Sequence, residues 1–251
     1  IDRLSASRFA PPLGHEQDSF EKPLPATQAL HPRQIDATQR QTIKLGASAS
    51  MMKSAEIFTD SVSLGWEHLF ESNTMPSFDQ LADIAIDTAG NVFLAGTSDF
   101  ECRTIKYDPA GNIIWQQAYA EGTGTESYAE QIILDGSGNI YVAGYAREPF
   151  MDADILLIKY DANGVQQWAS DFAGAAGNSD YPAKMLLNAD GNVVIAGYSY
   201  NESVTSDFLT IAFDADGTQL WHSIYDGSGM ADDWITDMAV DASSSIYVVG
   251  A

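Results

Sequence analysis

A tryptophan returns along this chain at nearly fixed intervals: Trp66, Trp115, Trp168 and Trp221, spaced 49, 53 and 53 residues apart. About 20 residues after each stands Asp87, Asp135, Asn188 or Asp241, and nine residues further on Gly96, Gly144, Gly197 or Gly250. Three landmarks that hold register over four copies mark a tandem repeat, in which each copy is one supersecondary unit that must stack on its neighbours to bury a core.

The central copy reads as four strands, EQIILD, NIYVAGYA, DILLIKYD and VQQWASDF. Each is short, partly alternating, and rich in β-branched and aromatic residues. Asp135-Gly136-Ser137-Gly138-Asn139 joins the first two and Asp161-Ala162-Asn163-Gly164 the last two. In such turns Asp bonds its own backbone and Gly takes the positive φ that closes the hairpin. A four-stranded antiparallel unit repeated in tandem predicts an all-β chain, a β-propeller of about four blades. The blades are expected at 79–120, 127–172 and 180–226, with partial blades at 55–70 and 233–251. The two partial blades could complete one another and close a four-blade ring. The rival expectation is a fragment of a larger propeller, since YVVGA breaks off inside a strand and the first residue is Ile1. Antiparallel order puts the tight Asp-x-x-Gly turns at one end of every blade and the longer loops (147–153, 173–180, 201–206 and 226–233) at the other.

Residues 1–50 differ in kind. They hold five of the nine prolines, neither Trp nor Tyr, and six basic against five acidic side chains. No period persists through them, so they predict an extended, Pro-containing tail or linker, with a short helix at 34–41. The whole chain carries a net charge of −23, so the repeats hold all of the acidic excess. That balance argues against nucleic acid and anionic membrane surfaces as partners, attracts cations, and is best tolerated where salt screens it. No apolar run reaches the length of a membrane-spanning helix.

The phrases D-x-x-G-N-[IV]-[YF]-[VL]-[AV]-G and D-[IF]-L-x-I-x-[YF]-D-x-x-G, followed by W, resemble the bacterial SBBP β-propeller repeat family. They fit best at Asp135–Gly144 and Asp154–Trp168, with Asp207–Trp221 close behind. The first copy departs at Glu101-Cys102-Arg103, and the last loses its glycine turn at Ser243-Ser244-Ser245. NHL and quinoprotein-like repeats share the first phrase. The resemblance implies a propeller in a secreted or cell-surface bacterial protein and implies no single activity.

Few residues point to chemistry. A calcium loop of the EF type needs a carboxylate at its twelfth position, where counting from Asp161 and Asp214 gives Phe172 and Tyr225. The Asp-Gly turns are therefore read as hairpins, and no cofactor is expected beyond weak binding of a divalent cation such as calcium. Cys102 is the only cysteine and has no histidine near it in register, so it reads as a small buried thiol and no catalytic residue is assigned. Before each first strand stands a polar residue followed by a larger one: Asp79-Gln80, Ser127-Tyr128, Asp180-Tyr181 and Asp233-Trp234. An aromatic beside a carboxylate can stack on a sugar or hold a cation. Asp79, Tyr128, Asp180, Tyr181, Asp233 and Trp234 are thus the candidate ligand-binding residues, set against a packing role for the rings and solvation for the acids. The leading functional expectation is a secreted or cell-surface binding scaffold that presents its long-loop face to a protein or glycan. The alternatives are a propeller-type enzyme, such as a quinoprotein-like dehydrogenase or glycan-cleaving enzyme, and a ligand-free spacer.

Overall fold

The structure, a computed structural model, describes the backbone of 41–45 and 53–57, and residues 79–251 apart from 121, 123, 149–151, 175–177, 202–204 and 228–230. The described residues form sixteen strands. β1 (Gln41–Leu45) and β2 (Lys53–Ile57) pair antiparallel. The first of these lies inside the segment expected as a tail, and Gln41, the last residue of the expected short helix, is in it. The rest of that helix, and residues 58–70 of the partial blade expected at 55–70, Trp66 among them, fall outside the described residues.

Three four-stranded antiparallel sheets follow, each in simple sequence order. The first blade is β3 (Asp79–Ile86), β4 (Val92–Ser98), β5 (Glu101–Tyr107) and β6 (Ile113–Tyr119). The second is β7 (Glu126–Leu134), β8 (Ile140–Arg147), β9 (Ala153–Tyr160) and β10 (Gln166–Phe172). The third is β11 (Asp180–Leu187), β12 (Val193–Tyr200), β13 (Ser206–Phe213) and β14 (Gln219–Tyr225). A final pair, β15 (Ile235–Val240) and β16 (Ile246–Gly250), repeats the first half of a blade.

Stacking explains why the middle strands of the second blade bury apolar side chains on both faces. Successive residues of a strand point to opposite faces, and the second blade uses both. Ile140, Val142, Leu156, Ile158 and Tyr160 pack with Phe93, Ala95 and Cys102 of the first blade. The alternate residues Tyr141, Ala143, Ile155 and Leu157 pack with Val193, Ile195, Leu209, Ile211 and Phe213 of the third. A sheet buried on both faces reads as a continuous apolar run rather than an alternation. The outermost strand has no such constraint, and β14 is exposed at every position.

The repeat phrase is accounted for by hydrogen bonds. In Asp87–Asn91 the Asp Oδ1 accepts from the N–H of Ala89 and Asn91, while Asn91 Nδ2 donates to Asp87 Oδ2 at 2.7 Å. The same set recurs at Asp108–Asn112 and Asp135–Asn139. These bonds, led by that from Asn112, hold the Asp108 carboxyl below its ordinary range. In the last copy Ser244 takes the left-handed conformation itself, at φ 62°, and the Asp241 turn still closes. In the third copy Asn188 Oδ1 accepts the same two N–H bonds, so what every copy keeps is the side-chain oxygen of Asp or Asn and not the Gly.

Between blades the tryptophans act as clamps. Trp115 Nε1 and Lys106 Nζ both donate to the Ala162 carbonyl in a tight turn of the next blade. Trp168 Nε1 and Lys159 Nζ do the same to Ala215, at 3.0 and 2.8 Å. A Cβ on Gly164 or Gly217 would come within 2.6 Å of the Trp115 or Trp168 ring, so those turns need glycine for space as well as for φ. Trp221 has no such turn over it among the described residues and is 40% exposed.

Candidate functional site

Each first strand carries a bulge, where one residue drops out of register: Ala82, Glu130, Ala183 and Thr236. Across from it sits the landmark glycine. A Cβ on Gly144 or Gly197 would run into the carbonyl of Tyr128 or Tyr181. The glycine thus lets two backbones close at the point where the bulge twists the strand, a device that re-aims side chains near sites.

At this bulged, long-loop end the rings form a row. Tyr128 of β7 stacks on Tyr145 of β8, with centroids 4.7 Å apart and planes 16° apart. Tyr145 meets Tyr181 of β11 edge-on at 4.9 Å, crossing from the second blade to the third. Tyr181 lies 5.4 Å from Tyr198 of β12, and Tyr198 meets Trp234 edge-on at 4.9 Å. Phe100 extends the row to the first blade by an edge contact with Tyr128. Three of the six expected site residues, Tyr128, Tyr181 and Trp234, therefore belong to one feature, linked by Tyr145 and Tyr198.

The row opens into a cleft of about 210 Å³ lined by Glu130, Tyr145, Tyr181, Pro182 and Tyr198. Tyr145, Tyr181 and Tyr198 are half-buried and Glu130 is exposed on its bulge. Burial first, then the Glu130 carboxylate, pushes the Tyr145 phenol up to about 12. Burial, with the neighbouring phenols and Glu130 adding to it, raises Tyr198 as well. Both phenols stay protonated across the neutral range and present neutral rings with O–H donors.

The three candidate acids are engaged away from the rings; for Asp180 and Tyr181 of β11 this follows because neighbours on a strand face opposite ways. Asp79 accepts from Ser98 Oγ at 2.6 Å. Asp180 is fully buried and accepts the Gly174 N–H at 2.6 Å. Asp233 accepts the Gly227 N–H at 2.8 Å. The last two do the same thing one repeat apart, folding the inter-blade loop back on the strand that follows it. Burial, partly offset by bonds from Ser199 and Gly174, raises the Asp180 carboxyl above the ordinary range.

Asp207, Asp226 and Asp233 bring carboxylate oxygens within 4.8 Å of one another, the type of donor a calcium ion takes. Asn201 Nδ2 reaches both Asp207 oxygens at 3.3 Å and the Gly227 N–H donates to Asp233, so loop folding places two of the three acids. Cys102 is 1% exposed and burial pushes its thiol up to about 12, which fits a packing residue and not a nucleophile.

Tyr145, Tyr198, Pro182 and Glu130 were not among the expected site residues. For the tyrosines a signal was present: each follows the landmark glycine directly, as Gly144-Tyr145 and Gly197-Tyr198. For Glu130 there was none, because a bulge position is fixed by strand pairing.

No family model matches the chain. A WD repeat-containing protein of Acanthamoeba polyphaga mimivirus, itself uncharacterized, is 24% identical over 172 residues, covering 59% of this chain and 11% of that protein. A solved protein of unknown function from Bacteroides caccae superposes with a TM-score of 0.50 at 16% identity, over 83% of this chain and 65% of that one. A puromycin hydrolase superposes with a TM-score of 0.50 at 13% identity, over 86% of this chain and 36% of that one. The chain thus spans less than two thirds of each. With the four-stranded antiparallel sheets, these likenesses make this an all-β protein of β-propeller repeats.

Proposed function

We propose that this β-propeller protein is a binding scaffold, working outside the cell or at its surface, that seats a ligand in the tyrosine cleft at the long-loop end of its blades. One observation carries the reading. Ring contacts run without a break from Tyr128 to Trp234, and the three rings that line the cleft, Tyr145, Tyr181 and Tyr198, are half-buried beside a carboxylate. Rings needed only for packing would be covered, as Tyr107, Tyr141 and Tyr160 are. Half-exposed rings with polar groups at their margin are what a small ligand or a partner's side chain uses for affinity and orientation. The strongly acidic surface supports a role in a salt-rich medium, where its self-repulsion is screened.

Ring-labelled tyrosine NMR on the whole chain tests this reading. A screen of neutral oligosaccharides, organic cations and short peptides should shift Tyr145, Tyr181 and Tyr198 together, and Tyr181→Ala should abolish the response. A screen in which no compound moves these three rings would falsify the placement of the site.

A further inference from the structure

Five rings of the row are oxidisable, and they touch in an unbroken order. Trp234 meets Tyr198 at 4.9 Å between centroids, and Tyr198 meets Tyr181 at 5.4 Å. Tyr181 meets Tyr145 at 4.9 Å, and Tyr145 stacks on Tyr128 at 4.7 Å. All four distances lie in the range of direct aromatic contact. Electronic coupling falls steeply with separation, so a series of such contacts passes an electron where one long jump would not. The engagement of each ring with the next is what electron transfer along the row requires.

The two ends differ in a way that gives the row a direction. Trp234 is 44% exposed and Tyr128 is 8% exposed. At neutral pH an indolyl radical oxidises a phenol, provided that the phenol proton has somewhere to go. At Tyr128 an acceptor is in place: the hydroxyl donates to Glu126 Oε2 at 2.9 Å, within reach for proton transfer. Arg147 Nε donates to the same Glu126 oxygen and holds it there. The ring beyond Tyr128 is Phe100, which oxidants of a phenol leave intact, so the row of oxidisable rings ends at Tyr128.

We propose that these rings form a relay that carries a one-electron oxidation from Trp234 at the surface to the phenol of Tyr128, with Glu126 as the proton acceptor. The relay needs no ligand in the cleft, so it goes beyond the binding reading and stands apart from it. With the carbonate radical anion as oxidant, one electron and one proton move. The carbonate radical takes an electron from Trp234 and becomes carbonate. Tyr198 restores Trp234, and each ring in turn is restored by the next. Tyr128 supplies the last electron as its O–H bond breaks, and the proton goes to the Glu126 carboxylate. The products are carbonate, a neutral Tyr128 phenoxyl radical and protonated Glu126. An indolyl radical left at the surface is consumed by oxygen, whereas a phenoxyl radical reacts with oxygen far more slowly, so the relay spares the indole.

Trp221 supplies the internal standard, because it is nearly as exposed, at 40%, and lies outside the row. The test exposes the full chain in air to a steady flux of photochemically generated carbonate radical and follows intact Trp234 and Trp221 by peptide mass spectrometry. Trp234 should be lost several-fold more slowly than Trp221. Tyr198→Phe and Tyr181→Phe each keep a ring in place and remove its oxidisable phenol. Each should raise the loss of Trp234 to that of Trp221 and leave Trp221 unchanged. Equal loss of the two tryptophans in wild type, or no response of Trp234 to either variant, overturns the relay. The end point is read by electron paramagnetic resonance on freeze-quenched protein. A phenoxyl radical with an exchangeable hydrogen bond should appear, and Tyr128→Phe should remove it; a signal that persists in that variant overturns Tyr128 as the terminus. Glu126→Gln should slow formation of the radical about tenfold or more and change the solvent deuterium isotope effect of that step, which a loss of packing alone would not do. An unaltered rate overturns the role given to Glu126.

Discussion

Trp115 and Trp168 hold the tight-turn end of successive blades by the same contacts, down to the lysine that shares their acceptor. Tyr128 and Tyr181 occupy equivalent places at the long-loop end and have different company: Glu126 and Arg147 around the first, Ser179 and Tyr200 around the second. What recurs unchanged is what stacking requires of every blade. What changes from blade to blade is free of that requirement, so the chemistry of a site collects there. The contrast can be broken from either end.

The largest effect is expected at the clamp. Trp168→Ala removes a half-buried ring, its contact with Tyr141 and the Ala215 bond, and should cost about 2–3 kcal/mol in denaturant unfolding. Trp221→Ala, on a ring with no turn over it among the described residues, should cost less than about 1 kcal/mol. Equal losses for the two would show that the tryptophan stabilises its own blade and not the joint. Gly217→Ala adds a Cβ against the Trp168 ring at a φ of 82°, costing about 1–2 kcal/mol from the backbone alone. The double variant Gly217→Ala, Trp168→Ala should lose less than the sum of the singles, since the collision disappears with the ring.

The repeated half of this contrast could be read from the chain itself. Asp87, Asp135 and Asp241 with their glycine or serine closures, and the glycine nine residues on, give periodic signals whose causes are local or lie one strand away. The variable half was legible only in part. Tyr128, Tyr181 and Trp234 announced themselves by position. Their sequence neighbours Asp180 and Asp233 did not join them: alternation along β11 turns Asp180 away from Tyr181, and Asp233 is taken up by the Gly227 N–H. Glu130 reaches the rings because of a bulge, and its repeat equivalents Ala82, Ala183 and Thr236 carry no charge to hint at it.

A smaller effect is expected at Asp180, where the two ends differ in how they hold a carboxylate. Asp108 and Asp241 in the turns are exposed and hydrogen-bonded, and both lie below the usual 3.8. Their contribution is present above that value and is lost as pH falls through their lowered folded values. Asp180 has the opposite sign. Burial raises it, so the folded chain binds its proton more readily than the unfolded chain does. Its ionised form is a cost at neutral pH, and that cost is relieved as pH falls through the raised value toward 3.8. Asp180→Asn keeps an acceptor for the Gly174 N–H. It should be at least as stable as wild type at neutral pH, within about 1 kcal/mol, and the difference should shrink on acidification. A variant clearly less stable at neutral pH would mean that the charge, not the acceptor, holds the loop.

The smallest effect tests whether the repeat's glycine is needed for its turn or only for its neighbour. Ser244 stands at φ 62° where the other first turns have Gly90, Gly138 and Gly191 at 81–82°. A left-handed non-glycine residue costs about 1–2 kcal/mol. Ser244 recovers part of this by donating from Oγ to Asp190 at 2.9 Å, an exposed bond to the preceding blade, worth about 0.5–1 kcal/mol. Ser244→Gly trades the bond for relief of the strain and should stabilise by about 0.5 kcal/mol in a urea titration. Asp190→Ala should lower wild-type stability slightly and leave Ser244→Gly unchanged. If Ser244→Gly destabilises instead, the Asp190 bond outweighs the strain, and the last turn has exchanged backbone freedom for a tie between blades.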